Sequence, residues 1–277
     1  MNCNLSDKSI CERSFQKNNA RWYYPTHPNH SWFEGFSRNF LSPDVRIWAD
    51  YNDSVTEWYG WESRHLNDVK APQDFVDRSA ALKAVFDGAM FLYLGKIYQP
   101  IIFGAAEAHA VADQPFIRHL PESADVRVDP FSQIEINKTV VSTEYPFDNP
   151  VSTMLFAARY DYVVRDILKY IGVQNLTYVT LYALHDWMTM KECGWTTNEL
   201  ASHAGWTKAE LKDFTQTANN PAYLGPFCRH GGVDTPPKRP MPLDKAIDPI
   251  LTATTAFIEK RIQSIDLQDK WDTLIAP

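Results

Sequence analysis

Four side chains have the types and spacing that could bind a metal ion: Glu62 and His65, with Glu107 and Glu144. Glu62-Ser63-Arg64-His65 is a Glu-x-x-His. On a helix this spacing stacks a carboxylate and an imidazole one turn apart on one face, where both can reach one ion. A di-metal carboxylate site in a helical bundle needs that pair twice, plus one Glu from each of two further helices. Glu107 and Glu144 could supply the single carboxylates. No second Glu-x-x-His occurs, and Glu199 and His203 are four residues apart in a different kind of segment. Half a site argues for the plainer reading, a surface ion pair of Glu62 with an arginine or of His65 with a carboxylate. Glu107-Ala108-His109 lies in an apolar stretch. A carboxylate buried there must be paired or protonated, and a satisfied core pair is favoured over a catalytic acid. His185-Asp186 reads as polar decoration of a helix or as a core pair.

The segment Thr196–Phe214 resembles a helix-turn-helix, with Ala201 at the small position, Gly205 in the turn and Thr207 capping the second helix. Leu200, Leu211 and Phe214 would pack the two helices together. A DNA-reading helix needs Lys, Arg, Asn or Gln for bases and phosphates. Here Lys208 and Lys212 are offset by Glu210 and Asp213, and the chain carries a formal net charge of -7, against a sequence-independent grip on nucleic acid. A structural corner is the expectation, and nucleic acid is not an expected partner. The motifs Gly-x-x-x-x-Gly-Lys-Ser/Thr, Gly-x-Gly-x-x-Gly and Gly-x-Ser-x-Gly are absent, which removes P-loop, dinucleotide-binding and hydrolase-elbow readings. Cys3, Cys11, Cys193 and Cys228 have no C-x-x-C spacing, against a zinc knuckle. The first residues lack an apolar run of the signal-peptide type, and a cytoplasmic protein with free thiols is expected.

The elements that would position these groups are organised around Ala80–Asp113. Leu82, Val85, Phe86, Ala89, Met90, Tyr93, Leu94, Ile97, Ile101 and Ala105 recur three and four apart, which predicts a helix apolar on most of its surface. Lys83, Asp87 and Lys96 interrupt it before it could span a bilayer. Pro100 predicts a kink near Lys96–Gln99. Ser42-Pro43 predicts the start of a helix through Val45, Trp48, Tyr51, Val55, Trp58 and Leu66. A helix is also expected over Phe131–Val141, over 150–171 after the Asn149-Pro150 cap signal, over 175–193 and over 245–266. The fold class expected is therefore all-α: a ferritin-like or related helical bundle with a long central kinked helix. Residues 1–42 would form an N-terminal arm, 43–194 the bundle core, and 195–277 a C-terminal helical extension with a Pro-rich loop. The aromatic run Trp22–Phe40 carries too much apolar area for a solvated loop and is expected along the bundle or under a partner chain.

Two stretches resemble the β subunit of the soluble bacterial multicomponent monooxygenase hydroxylases. One is His30-Ser-Trp32-Phe33, then Pro43 and Trp48, Tyr51, Glu57 and Trp58. The other is Phe86-Asp-Gly-Ala-Met-Phe91 with Tyr98 and the Gly/Ala-rich turn to Asp113. The resemblance covers about residues 22–190; 195–240 do not match. It implies a ferritin-like chain without metal ligands, a structural subunit of an oxygenase complex acting on a small organic substrate. It would associate with itself and with a homologous larger subunit that holds the di-iron centre. The alternative is a stand-alone helical-bundle enzyme with a buried polar site, or with a carboxylate–metal site at Glu62, His65, Glu107 and Glu144.

Overall fold

The computed structural model describes residues 20–26, 31–52, 55–109, 124–190, 194–229 and 235–275. The expected arm residues 1–19, His30, Cys3, Cys11, Cys193 and the end of the Ala80–Asp113 stretch from residue 110 lie outside them. Two compact units interleave along the chain. The first comprises Met1–Lys83, Pro100–Tyr160 and Leu267–Pro277; the second comprises Ala84–Gln99 and Asp161–Asp266.

The first unit is built on a four-stranded antiparallel sheet, and this overturns the all-α, ferritin-like expectation. Its strands are β1 (Trp22–Thr26), β2 (Arg46–Asn52), β3 (Val55–Glu62) and β4 (Glu107–Ala108), in the spatial order β2-β3-β1-β4. The predicted helix over 43–66 is instead the β2–β3 hairpin. Trp, Tyr, Val, Thr and Ile favour a pleated, half-buried surface, and Asn52-Asp53-Ser54 is turn chemistry between the two runs. The aromatic spacing fits a helical period by coincidence. The aromatic run before it, expected along a bundle or under a partner chain, supplies strand β1 (Trp22–Thr26) and then α1 (Ser31–Asn39).

One face of the sheet forms the core of this unit. Trp22, Tyr24, Thr26, Ile47, Tyr59 and Trp61 alternate onto it and are buried. Phe103 stacks on Tyr24 at 4.5 Å between ring centroids and lies 4.9 Å from Trp61. Phe75 meets Trp22 edge-on at 5.5 Å. A second apolar group joins α3 (Pro150–Tyr160), starting at the predicted Asn149-Pro150 signal, to the short helix Leu267–Asp272, through Phe156 and Trp271. The helix expected over Phe131–Val141 is only a single 3-10 turn at Glu135–Asn137.

α2 (Pro72–Leu94) is the expected apolar helix, and Ala81, Leu82, Val85, Phe86, Ala89 and Met90 are buried. It is shorter than predicted and does not continue through a kink. Gly95 takes φ +64°, which L-residues with side chains resist, and so ends the helix in a left-handed turn. The chain then runs through the 3-10 turn Gly95–Ile97. Glu107 consequently sits on a strand.

The second unit is helical: the end of α2, then α4 (Tyr162–Val173), α5 (Tyr178–Thr189), α6 (Thr197–His203), α7 (Lys208–Ala218), α8 (Pro221–Leu224) and α9 (Leu243–Gln263). The predicted helix 150–171 is divided at Asp161, whose carboxylate caps α4 by accepting from the N–H groups of Val163 and Val164. α2 and α4 approach to backbone contact because Gly88 and Gly172 face the partner main chain. A Cβ on Gly88 would stand 2.0 Å from Leu168 O, and one on Gly172 would stand 1.9 Å from Ala84 O. The helix-turn-helix expectation matches the geometry of α6 and α7. Thr196 and Thr207 each form a capping box with Glu199 and Glu210, Gly205 takes φ +65° between them, and Leu200, Leu211 and Phe214 are buried. No helix among the described residues is long and apolar enough to cross a membrane.

Candidate functional site

The face of the sheet opposite the core carries the unusual chemistry. Arg46 pairs with Glu62, Glu62 with Tyr23, and Tyr23 with Glu107, so one row runs across all four strands. Paired residues in antiparallel strands project to the same side. The neighbouring positions on this side are Trp48, Trp58 and Gly60, and His109 follows Glu107 by two residues. Only a glycine lets the Trp48 indole lie across β3: a Cβ at Gly60 would fall 2.2 Å from Trp48 Cε2.

Glu62 is 2% exposed and held from three sides. Trp48 Nε1–H donates to Oε2 at 2.9 Å, His109 Nε2 lies 2.6 Å from the same oxygen, and Arg46 Nη1 is 3.5 Å from Oε1. An indole N–H only donates, so Oε2 is an acceptor and the imidazole nitrogen facing it carries the hydrogen. In the neutral imidazole this leaves the lone pair on His109 Nδ1. It meets no hydrogen-bonding partner among the described residues, and the His109 side chain is 30% exposed. The ring lies against Tyr23, at 4.8 Å, and Trp48, at 6.0 Å. Tyr23 also stacks on Trp58 and donates its hydroxyl to Glu107 Oε2. Glu107, expected in a helix core, is therefore an exposed strand residue with a phenol partner.

Beyond the strands lies a buried ion network. Asp44 Oδ1 accepts from Arg159 Nε at 2.5 Å and from His65 Nε2 at 2.9 Å, and all three side chains are fully buried. The Ser132 N–H donates to His65 Nδ1 at 3.2 Å, which fixes the tautomer with its hydrogen on Nε2, toward Asp44. Burial, with Arg159 and Arg64 nearby, keeps His65 below the usual imidazole range against the pull of Asp44. Burial pushes the Asp44 carboxyl up, but Arg159 and His65 outweigh it and hold the group below its ordinary value. Arg64 pairs with Glu135 at 3.4 Å and donates to the Glu135 and Lys138 carbonyls.

Glu144, in a 3-10 turn at Ser142–Glu144, is 9% exposed and lines a cavity of about 250 Å³. Burial lifts its pKa from 4.5 to about 7, although Arg64, Arg159 and Arg46 and the Val141 N–H all act to lower it.

The four sequence-selected ligands are thus not brought together as one site. Glu62 faces the ring-lined side of the sheet, His65 is sealed against Asp44, Glu107 sits at an edge strand, and Glu144 lies at the cavity. Glu62 ends a strand and His65 lies in a 3-10 turn, so the one-turn stacking of Glu-x-x-His never arises. Among the described residues no group of three or more His, Cys, Asp and Glu could hold a metal ion. Sequence reasoning passed over Asp44, Arg159, Tyr23 and Arg46. The polar–aromatic alternation Arg46-x-Trp48 against Trp58-x-Gly60-x-Glu62 was the signal available for the sheet face.

No protein-family model matches the chain, and neither the curated proteins nor the solved structures yield a match.

Proposed function

We propose that the first unit is an acid–base enzyme domain that binds a small uncharged organic molecule on the ring-lined face of its sheet, with His109 as the proton-transferring group. The observation carrying this reading is the Glu62–His109 pair. A sequestered carboxylate lies 2.6 Å from one imidazole nitrogen, and the other has no hydrogen-bonding partner among the described residues, beside the rings of Tyr23 and Trp48. That is the arrangement in which an oriented histidine takes a proton from a hydroxyl or a water and returns it later. Glu62 acts through His109 and is a positioning residue. Trp48 and Arg46 in turn fix Glu62.

The charge on the row favours an uncharged substrate over an anion. Arg46 offsets Glu62, and Glu107 adds a further carboxylate at the exposed end. Tyr23, Trp48 and Trp58 supply apolar ring surface, and Glu107 and the Tyr23 hydroxyl supply polar groups that would orient hydroxyls on a bound molecule. The scaffold role in an oxygenase complex rested on the helical fold implied by the resemblance. With that fold corrected, no observation favours it.

A panel of chromogenic esters and glycosides, with histidine-detected NMR of the full chain, tests the reading. Turnover of a panel member should fall by about 100-fold or more in His109→Ala, and by less in Glu62→Gln, with the circular dichroism of both unchanged. A panel that neither turns over nor shifts the His109 ring signals would sink the reading.

A further inference from the structure

We infer that the second unit carries a docking surface for duplex DNA on α7, where Lys208, Lys212 and Gln216 form the face that enters the major groove. α6 and α7 are joined by residues 204–207, with Gly205 at φ +65° making the turn. In a helix-turn-helix of this build the second helix lies in the groove and the first crosses the backbone. Leu211, Phe214 and Ala218 are the buried side of α7. Lys208, Lys212 and Gln216 recur every four residues, so they stack along one face, and all three are exposed. Neither lysine has a carboxylate partner among the described residues.

The two acids that offset these lysines in the sequence are placed elsewhere by the fold. Glu210 turns back to the cap, where its Oε2 accepts from the Thr207 N–H and hydroxyl at 2.8 Å. Asp213 Oδ2 pairs with Arg239 Nε at 3.3 Å. The loop that supplies Arg239 also borders the basic face. A groove of about 980 Å³ runs between Lys212 and Gln216 on the helix and residues 235–239 on the loop. Lys238 on the loop is exposed and, like the two helix lysines, unmatched by a carboxylate among the described residues. The net charge of the chain does not oppose this surface. The second unit holds twelve Lys and Arg against thirteen Asp and Glu, so the formal charge of -7 belongs almost wholly to the first unit.

The length of the face selects the partner. From Lys208 to Gln216 the helix rises about 12 Å, more than one small anion needs and roughly three base-pair steps of a duplex. Lysines along such a row meet successive phosphates, and the Gln216 amide offers the donor and acceptor that match a base edge.

Fluorescence anisotropy of the full chain with a labelled mixed-sequence DNA duplex of about 20 bp, two helical turns, tests the inference. Binding in the micromolar range or tighter is expected at about 50 mM salt, and three phosphate contacts predict a roughly 40-fold loss of affinity at about 200 mM. Lys208→Ala and Lys212→Ala should each weaken binding and make the salt slope shallower by about 1. Gln216→Ala should weaken binding at an unchanged slope, because the amide carries no charge. Lys70→Ala, the same charge change at an exposed residue of the first unit, should alter neither. The substituted side chains are exposed, so circular dichroism should be unchanged in every variant. No duplex binding at the lower salt, equal affinity for duplex RNA, whose narrow major groove admits no helix, or lysine variants of α7 that bind no worse than Lys70→Ala would each overturn it.

Discussion

Arg159 Nε meets Asp44 Oδ1 at 2.5 Å across 115 residues of sequence, with both side chains fully buried. The same Oδ1 accepts from His65, so one carboxylate oxygen ties α3 and the turn after β3 to the loop that leads into β2. Asp44 Oδ2 and the Arg159 Nη1 and Nη2 atoms are buried without a hydrogen-bond partner among the described residues. An incompletely satisfied buried ion pair of this kind joins elements more than it adds net stability.

Removing one partner should therefore be costly. Asp44→Ala leaves the Arg159 guanidinium buried and uncompensated, and the expected loss is about 3–5 kcal/mol in denaturant unfolding. The double variant Asp44→Ala/Arg159→Met should recover part of that loss. A double variant as unstable as the sum of the singles would show that the two groups do not act as a pair.

Glu144 makes stability depend on pH with a definite sign. Its pKa is raised from 4.5 to about 7 by burial, so between these values the folded chain holds a proton that the unfolded chain has released. Stability contributed by this group is complete below about pH 4.5 and falls as pH rises toward 7, by about 3 kcal/mol in all. Glu144→Gln removes the ionisation. The variant should match the parent near pH 4.5 and exceed it in stability above pH 7, as measured by thermal unfolding across that range. Equal pH profiles for the two proteins would contradict the placement of Glu144.

The crossing of α2 and α4 leaves no room for a side chain at Gly88 or Gly172. With a Cβ 2.0 Å or less from a carbonyl oxygen, either Gly→Ala change must push two helices apart. The expected loss is about 3 kcal/mol, near the upper end for overpacking, and it outweighs the gain of under ~1 kcal/mol in helix propensity that alanine brings. Urea unfolding followed by circular dichroism reads this directly.

Thr196 and Thr207 each satisfy an N3 amide while Glu199 and Glu210 return a bond to the cap residue. Thr196→Ala and Thr207→Ala should each cost about 1 kcal/mol. Glu199 and Glu210 are held below their ordinary carboxylate values chiefly by those cap N–H groups, so acid should weaken both caps. Amide exchange at the start of α6 and α7 is the measurement.

The helical half was legible because its signals are local. Asn149-Pro150, Gly205, Thr207 and the apolar period over 245–266 report contacts within four residues, and α3, α6, α7 and α9 lie near those positions. Even there a single residue escaped: Asp161 interrupts a period that reads as one helix, because its side chain accepts the first amides of the next. The sheet was not legible, because Trp48, Tyr51, Val55 and Trp58 satisfy a three-and-four spacing and a strand composition at once. The pairing that decides between them joins Tyr23 to Glu62 and to Glu107, 39 and 84 residues away along the chain.

The sequence by itself determined which residues were rich in chemistry, where most helices of the second unit begin and end, and that α2 would be apolar nearly all round. Only the tertiary structure decided which acids meet which bases. Glu62 went to His109 rather than His65, His65 to Asp44, and Glu144 to three arginines already matched by other carboxylates. The physical reason is range. Capping and periodicity are fixed by neighbours in the chain, whereas buried charge must be matched by whatever group the folded backbone brings within reach.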